Sequence, residues 1–134
     1  MPSNVVPIKV LLVDDHEHVL WGLKKLIEGE WPRMVVVGTA GTMAQALAGV
    51  RDRSPDVVVL DIQLGEDNAL DHMSEFVGNN GPQVVILTGL DKMDLHERAM
   101  KSGARAVVLK EEPAEVLLRE IERANQSRDA GVTR

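Results

Sequence analysis

Ile8-Lys9-Val10-Leu11-Leu12-Val13-Asp14-Asp15 (residues 8–15) is an almost unbroken apolar run that stops on two carboxylates. A strand with one wet face alternates apolar and polar residues. A run that is apolar nearly throughout is the pattern of a strand covered on both faces in a parallel sheet. Four more β-branched runs read the same way: Met34 to Val37, Asp56 to Leu60, Gln83 to Leu87 and Ala106 to Leu109. Helical periodicity fills the gaps. The first helix runs from about His16 to Glu28, with Val19, Leu23, Leu26 and Ile27 on one face. The second opens at Thr42, and Gln45 three residues on completes a capping box. A weaker third spans about Ala69 to Val77. The fourth follows Asp91 as N-cap and stops at Gly103, and the fifth has Pro113 near its first turn. Strands alternating with helices make five βα units. These imply an α/β doubly wound parallel sheet with right-handed crossovers and helices on both faces. Residues 8–124 form that one domain, preceded by a short extension (1–7) and followed by a polar tail or linker stub (125–134) expected to fray.

In such folds the ligand site lies outside the carboxyl ends of the strands. The first strand ends in Asp14-Asp15, the third in Asp61, the fourth in Thr88 and the fifth in Lys110. Three carboxylates, a hydroxyl and an ammonium thus come to one sheet edge. Taken singly, each has an ordinary reading: Asp15 as a helix cap, Asp61 as a loop acid, Lys110 as a solvated charge. Taken together they are a charge problem, since one lysine cannot neutralise three close carboxylates. A hard divalent cation with oxygen ligands supplies the difference, and Mg2+ fits best because it takes a few carboxylates and keeps its waters. Such a centre draws in a phosphoryl group, which Thr88 and Lys110 can hold and which an aspartate can accept as an acyl phosphate.

Composition closes other routes. The 134 residues are 44% apolar and 27% charged, a globular balance sized for one domain. No cysteine is present, so thiolate chemistry and Cys-based zinc sites are excluded. No apolar run reaches membrane-spanning length and the start does not read as a signal peptide, so a cytoplasmic location is expected. Fifteen basic against 21 acidic residues give a net charge of −6, which argues against direct nucleic-acid binding by this chain. His16, His18, His72 and His96 lie in different segments without metal-ligand spacing, and are expected to be solvated or capping.

The segments Leu11 to His16, Val57 to Ile62, Ile86 to Gly89 and Ala106 to Lys110 together resemble the receiver domain of two-component response regulators, over about residues 8–124. The Asp-Asp-His start and the Trp21-Gly22-Leu23 helix are closest in style to the LuxR/NarL subfamily. The resemblance implies a flavodoxin-like, CheY-like five-stranded sheet of order 2-1-3-4-5 with five helices. It implies Asp61 as phospho-acceptor and Asp14, Asp15, Asp61 and the main-chain carbonyl of Gln63 as Mg2+ ligands. Lys110 would pair with the phosphoryl group and Thr88 would be the switch hydroxyl. The phosphoryl donor would be a histidine kinase or phosphotransfer protein. The chain would then be a signalling domain that catalyses only its own phosphorylation and dephosphorylation.

The sequence departs from that family's pattern in three places. The loop after the acceptor, Leu64 to Ala69, lacks the usual proline and is acidic. Glu111 follows Lys110 where the family has a cis-proline, so a trans peptide is expected. Val107 stands where an aromatic switch residue is common. On the first helix, Leu20 and Trp21 occupy positions that the family usually keeps polar, which suggests either self-packing or a homodimer contact. Three alternatives follow. One is the receiver part of a LuxR/NarL-type DNA-binding regulator whose output domain is absent from this chain. Another is a small Mg2+-dependent aspartyl phosphatase, for which Gln63 is a poor general acid. The last is a flavin-binding flavodoxin relative, disfavoured by the acidic first loop.

Overall fold

The computed structural model describes residues 6–78 and 80–132. Five parallel strands form one sheet: β1 (Ile8–Val13), β2 (Met34–Ala40), β3 (Val57–Leu60), β6 (Gln83–Thr88) and β7 (Ala106–Leu109). Their order is β2-β1-β3-β6-β7. Two short strands, β4 (Gln63–Leu64) and β5 (Asp67–Asn68), form a separate antiparallel hairpin. Counting only the main strands, the order is the expected 2-1-3-4-5. The helices are α1 (Glu17–Glu28), α2 (Met43–Arg53), α3 (Met73–Phe76, preceded by a 3-10 turn at Ala69–His72), α4 (Met93–Lys101) and α5 (Ala114–Val132).

The sheet splits the core into two layers, because successive side chains of each strand point to opposite faces. Leu11, Val13, Val58, Leu60, Val84 and Ile86 pack on one face, beneath α2, α3 and α4. Val10, Leu12, Val57, Val59, Val85 and Leu87 pack on the other, against Ile27 of α1 and Leu117 and Ile121 of α5. Every residue of β3 is buried, as its unbroken apolar sequence requires. Leu11 packs between two glycines: a Cβ at Gly49 would lie 3.0 Å from its Cδ1 and one at Gly38 3.3 Å. That close approach seats α2 on the sheet. Among the described residues, no helix is long and apolar enough to cross a membrane.

Several boundaries differ from the sequence reading. β2 continues past Val37 to Ala40, because the register with β1 shifts between Val10 and Leu11 and then pairs Leu11 with Gly38. Asp91 does not cap α4; the cap position is Lys92, with no side-chain bond. The third helix is divided between a 3-10 turn, capped by Asn68 Oδ1 on the Leu70 amide, and a single α-turn. The expected fraying from Asn125 is also corrected. α5 runs on to Val132, and Arg128 ties it down with Nη1 on Asp56 Oδ1 (2.6 Å) and Nε on the Gly81 carbonyl (3.2 Å). Residues 1–5 of the N-terminal extension and 133–134 of the tail lie outside the described residues.

Candidate functional site

Three backbone hydrogen bonds carry the parallel ladder one residue past the strands. The Asp14 amide donates to the Ala40 carbonyl (3.0 Å), that of Asp61 to Val13 (3.0 Å) and that of Lys110 to Thr88 (2.8 Å). The first residues beyond β1, β3 and β7 are therefore fixed as firmly as the strands. The registers Val13↔Leu60 and Leu60↔Ile86 set their ends at one edge.

Lys110 joins two of the carboxylates. Its Nζ lies 2.9 Å from Asp14 Oδ2 and 3.2 Å from Asp61 Oδ2. Asp14 Oδ1 accepts from the His16 amide at 2.9 Å and lies 2.9 Å from His16 Nδ1. Asp15 is turned outward, with Oδ1 3.1 Å from His16 Nδ1 and Oδ2 accepting from the Gly65 amide at 2.9 Å. It therefore does not cap α1, whose cap position is His16. Asp61 Oδ1 receives only a long bond from the Gln63 amide, 3.4 Å. Thr88 is buried, and its Oγ1 accepts from the Leu90 amide at 3.1 Å. The Lys110–Glu111 peptide is trans, as expected, and the Glu112 carboxylate secures the turn by accepting from the Leu109 amide (2.8 Å).

The electrostatics separate the two inner carboxylates. Burial pushes the Asp61 carboxyl up, and Lys110 offsets this only in part while Asp14 adds to it. Asp14 is also penalised by burial, yet hydrogen bonds from Lys110 and His16 outweigh that and hold it below the usual range. Lys110 is pulled upward by both partners in spite of its own burial. One carboxylate is thus already stabilised as an anion, and the other is under-stabilised.

Ligand atoms of Asp14, Asp15, His16 and Asp61 all lie within 4.8 Å of one another. Three hard oxygen donors carrying surplus negative charge fit a hard divalent cation. The sequence reading brought Asp14, Asp15, Asp61 and Lys110 to this edge, and the structure puts them in one cluster. Gln63 flanks it by donating its amide to Asp61, and Thr88 by accepting the Lys110 amide on its carbonyl. His16 was missed. Its adjacency to Asp14-Asp15 was visible, but only the turn between β1 and α1 folds the imidazole back onto both carboxylates. Beside the cluster, a cavity of about 330 Å³ opens between α1 and α5, with Leu23, Leu26, Leu87 and Leu117 in its wall and Lys110 at its edge.

Comparison with known proteins agrees with this geometry. The family model of the response regulator receiver domain matches residues 10–122. The DNA-binding transcriptional activator DevR/DosR of Mycobacterium tuberculosis is 34% identical over 128 residues, covering 95% of this chain and 56% of that protein. The transcriptional regulatory protein DesR of Bacillus subtilis is 31% identical over 110 residues, 82% of this chain and 54% of that one. The chain thus spans about half the length of the curated relatives it matches. Among solved structures, a two-component response regulator of the LuxR family from Aurantimonas sp. superposes with a TM-score of 0.82 at 28% identity, covering 91% of this chain and 87% of that one. Fold, strand-end cluster and sequence similarity coincide over the same residues, and the chain belongs to the response regulator receiver domains.

Proposed function

We propose that Asp61 accepts a phosphoryl group from a phosphohistidine on a kinase or phosphotransfer protein, with Asp14, Asp15, Asp61 and the Gln63 carbonyl as ligands of Mg2+. The observation that carries this reading is the Lys110 bridge between a stabilised and an under-stabilised carboxylate. In the transfer, an Asp61 oxygen bonds to phosphorus while the donor's phosphorus–nitrogen bond breaks, and the departing imidazole takes its proton from water. The metal, when bound, neutralises charge on the carboxylates and the phosphoryl oxygens. Lys110 can release Asp61 for a phosphoryl oxygen while keeping Asp14. Thr88 already accepts from Leu90, so its own proton is available to a phosphoryl oxygen.

That last step gives the switch. Turning the Thr88 hydroxyl toward the phosphoryl group releases the Leu90 amide and with it the loop leading into α4. α4 carries Met93, 73% exposed, and Met100 one heptad on. A local charge change would bias two arrangements of α4 and β7 and thereby alter a protein contact. The setting of such a relay is cytoplasmic. A second reading is supported by the relatives: a receiver serving a DNA-binding regulator, since DevR/DosR is such an activator and this chain matches about half of it.

Intact mass after incubation with acetyl phosphate and Mg2+ tests the assignment. One hydroxylamine-labile phosphoryl adduct is expected on the wild type and none on Asp61→Asn. An undiminished adduct on Asp61→Asn overturns it.

A further inference from the structure

The outward face of α1 carries a feature unconnected with phosphoryl chemistry. Glu17, Leu20, Trp21 and Lys24 follow one another at helical spacing and, with Thr39 of β2, line a concavity of about 220 Å³. Trp21 is 65% exposed, and the Lys25 ammonium lies over its ring, 5.7 Å from the centroid. An indole buries a large apolar area when it finds a partner, so leaving it in water forfeits that gain. α1 lies over β1 and β2, and β2 is an edge strand, so this face stands on the open flank of the domain.

The charges on this face are ordered. Glu17 precedes the Leu20-Trp21 pair by three residues and Lys24 follows it by three. Set α1 antiparallel to a copy of itself, with a two-fold axis between Leu20 and Trp21. Glu17 then faces the partner's Lys24, and Leu20 faces the partner's Trp21, each pairing occurring twice. Such an isologous contact needs a self-complementary surface, and this face is one. Lys24 also reaches Glu28 at 3.9 Å, an exposed pair weak enough to exchange partners.

We infer that this face of α1 is a self-association surface whose occupant is a second copy of the chain, docked antiparallel about a two-fold axis between Leu20 and Trp21. One helix pair is a small interface, so the dimer is weak, with a dissociation constant of about 10–500 µM. It leaves both the cavity beside Lys110 and the face of α4 open.

Sedimentation equilibrium at up to about 1 mM protein tests this. The wild type is expected to dimerise, and Trp21→Glu to weaken the dimer at least tenfold while its melting temperature holds, because the side chain is exposed. Glu17→Lys alone sets two lysines against each other across the axis, and Lys24→Glu alone sets two glutamates together, so each should self-associate several-fold more weakly. Mixed one to one, the two variants should form a heterodimer at wild-type strength or better, since the repulsive pairs of each homodimer are then relieved. A wild type that stays monomeric, a Trp21→Glu protein that dimerises like it, or a mixture no better than its components overturns the inference.

Discussion

Asp56 and Asp61 stand at the two ends of β3, and the same residue type serves opposite ends there. At the amino end, Asp56 is balanced. Oδ1 takes Arg128 at 2.6 Å and Oδ2 takes the Lys9 amide at 2.9 Å. One carboxylate meets one guanidinium, and the product is a closed clamp between the sheet and α5. At the carboxyl end, Asp61 shares a single ammonium with Asp14 and lies near Asp15. A carboxylate with matched charge and filled acceptors is a structural part. One held among unmatched charges, with a thinly occupied oxygen, is poised to take a new bond. Charge balance separates the two where residue type does not.

Exchanging the two aspartates for asparagine gives the largest contrast. Asp61→Asn should lose phosphoryl transfer entirely yet melt no lower than the wild type at neutral pH. The sign follows from the upward shift of Asp61. A carboxyl whose folded-state pKa is raised binds its proton more tightly folded than unfolded, so stability falls as pH rises from the ordinary carboxylate range through that higher value. At neutral pH the ionised Asp61 therefore costs stability, and an amide removes the cost. Asp56→Asn should do the reverse, keeping phosphorylation while losing stability. Intact mass and thermal melts on both proteins measure the contrast. A large drop in the melting point of Asp61→Asn would erase the distinction.

Arg128→Ala tests the clamp from its other partner. The guanidinium is mostly covered and bonds to Asp56, Gly81 and Asn80. Truncating it leaves a partly buried carboxylate and two carbonyls short of a donor, at a cost of about 2 kcal/mol. Urea denaturation should show that loss, and exchange at the α5 amides beyond Ala124 should quicken. Unchanged exchange there would mean that the clamp does not hold the helix end.

This clamp also explains what the sequence left unreadable. Residues 125–129 are polar and Gly131 follows shortly after, so local pattern alone predicts a frayed tail. Their helix depends on a tertiary partner at Asp56, which no local rule contains. The inner strands β1, β3 and β6 were legible because burial on both faces writes itself into nearly unbroken apolar runs; the edge strands β2 and β7 carry similar runs although most of their residues are only half-buried. The site was legible because a parallel sheet delivers its strand ends to one edge, so Asp14, Asp61, Thr88 and Lys110 could be grouped without coordinates. The β4–β5 hairpin was not, since Leu64-Gly65-Glu66-Asp67 reads only as a loop and its form rests on a long-range bond from the Gly65 amide to Asp15. His16 escaped for a similar reason: chain spacing says nothing of a tight turn that folds a ring onto the preceding residues.

A third test adds the missing charge. If the carboxyl-end cluster lacks a cation and the amino-end pair does not, Mg2+ should stabilise the protein through the former alone. At tenfold excess over its dissociation constant the gain is about 1.4 kcal/mol. Thermal melts with and without Mg2+ should show this in the wild type and in Arg128→Ala, and show much less in Asp15→Asn. Equal shifts in all three proteins would place the effect elsewhere.

The smallest expected effect concerns how long the phosphorylated state lasts. Gln63 and Leu90 each lie two residues beyond a strand-end group, and each turns its amide back to that group: Gln63 to Asp61 Oδ1 at 3.4 Å, Leu90 to Thr88 Oγ1 at 3.1 Å. These amide bonds set both residues beside the edge where a phosphoryl group on Asp61 would sit. Hydrolysis of an acyl phosphate needs a water held in line with the bond that breaks, and polar side chains help to hold it. Gln63 can orient such a water, whereas Leu90 cannot hydrogen-bond and its bulk excludes water from its side. Autodephosphorylation should therefore be slow, and Leu90→Asn or Leu90→Glu should speed it by a few-fold to about tenfold. Tenfold needs only about 1.4 kcal/mol of transition-state stabilisation, within reach of one hydrogen bond. The competing account, that Leu90 matters for packing against α4, meets a side chain already 40% exposed. Phosphate release should thus change while the melting point stays put. Equal decay rates in two equally stable proteins would show that water reaches Asp61 by a route Leu90 does not guard.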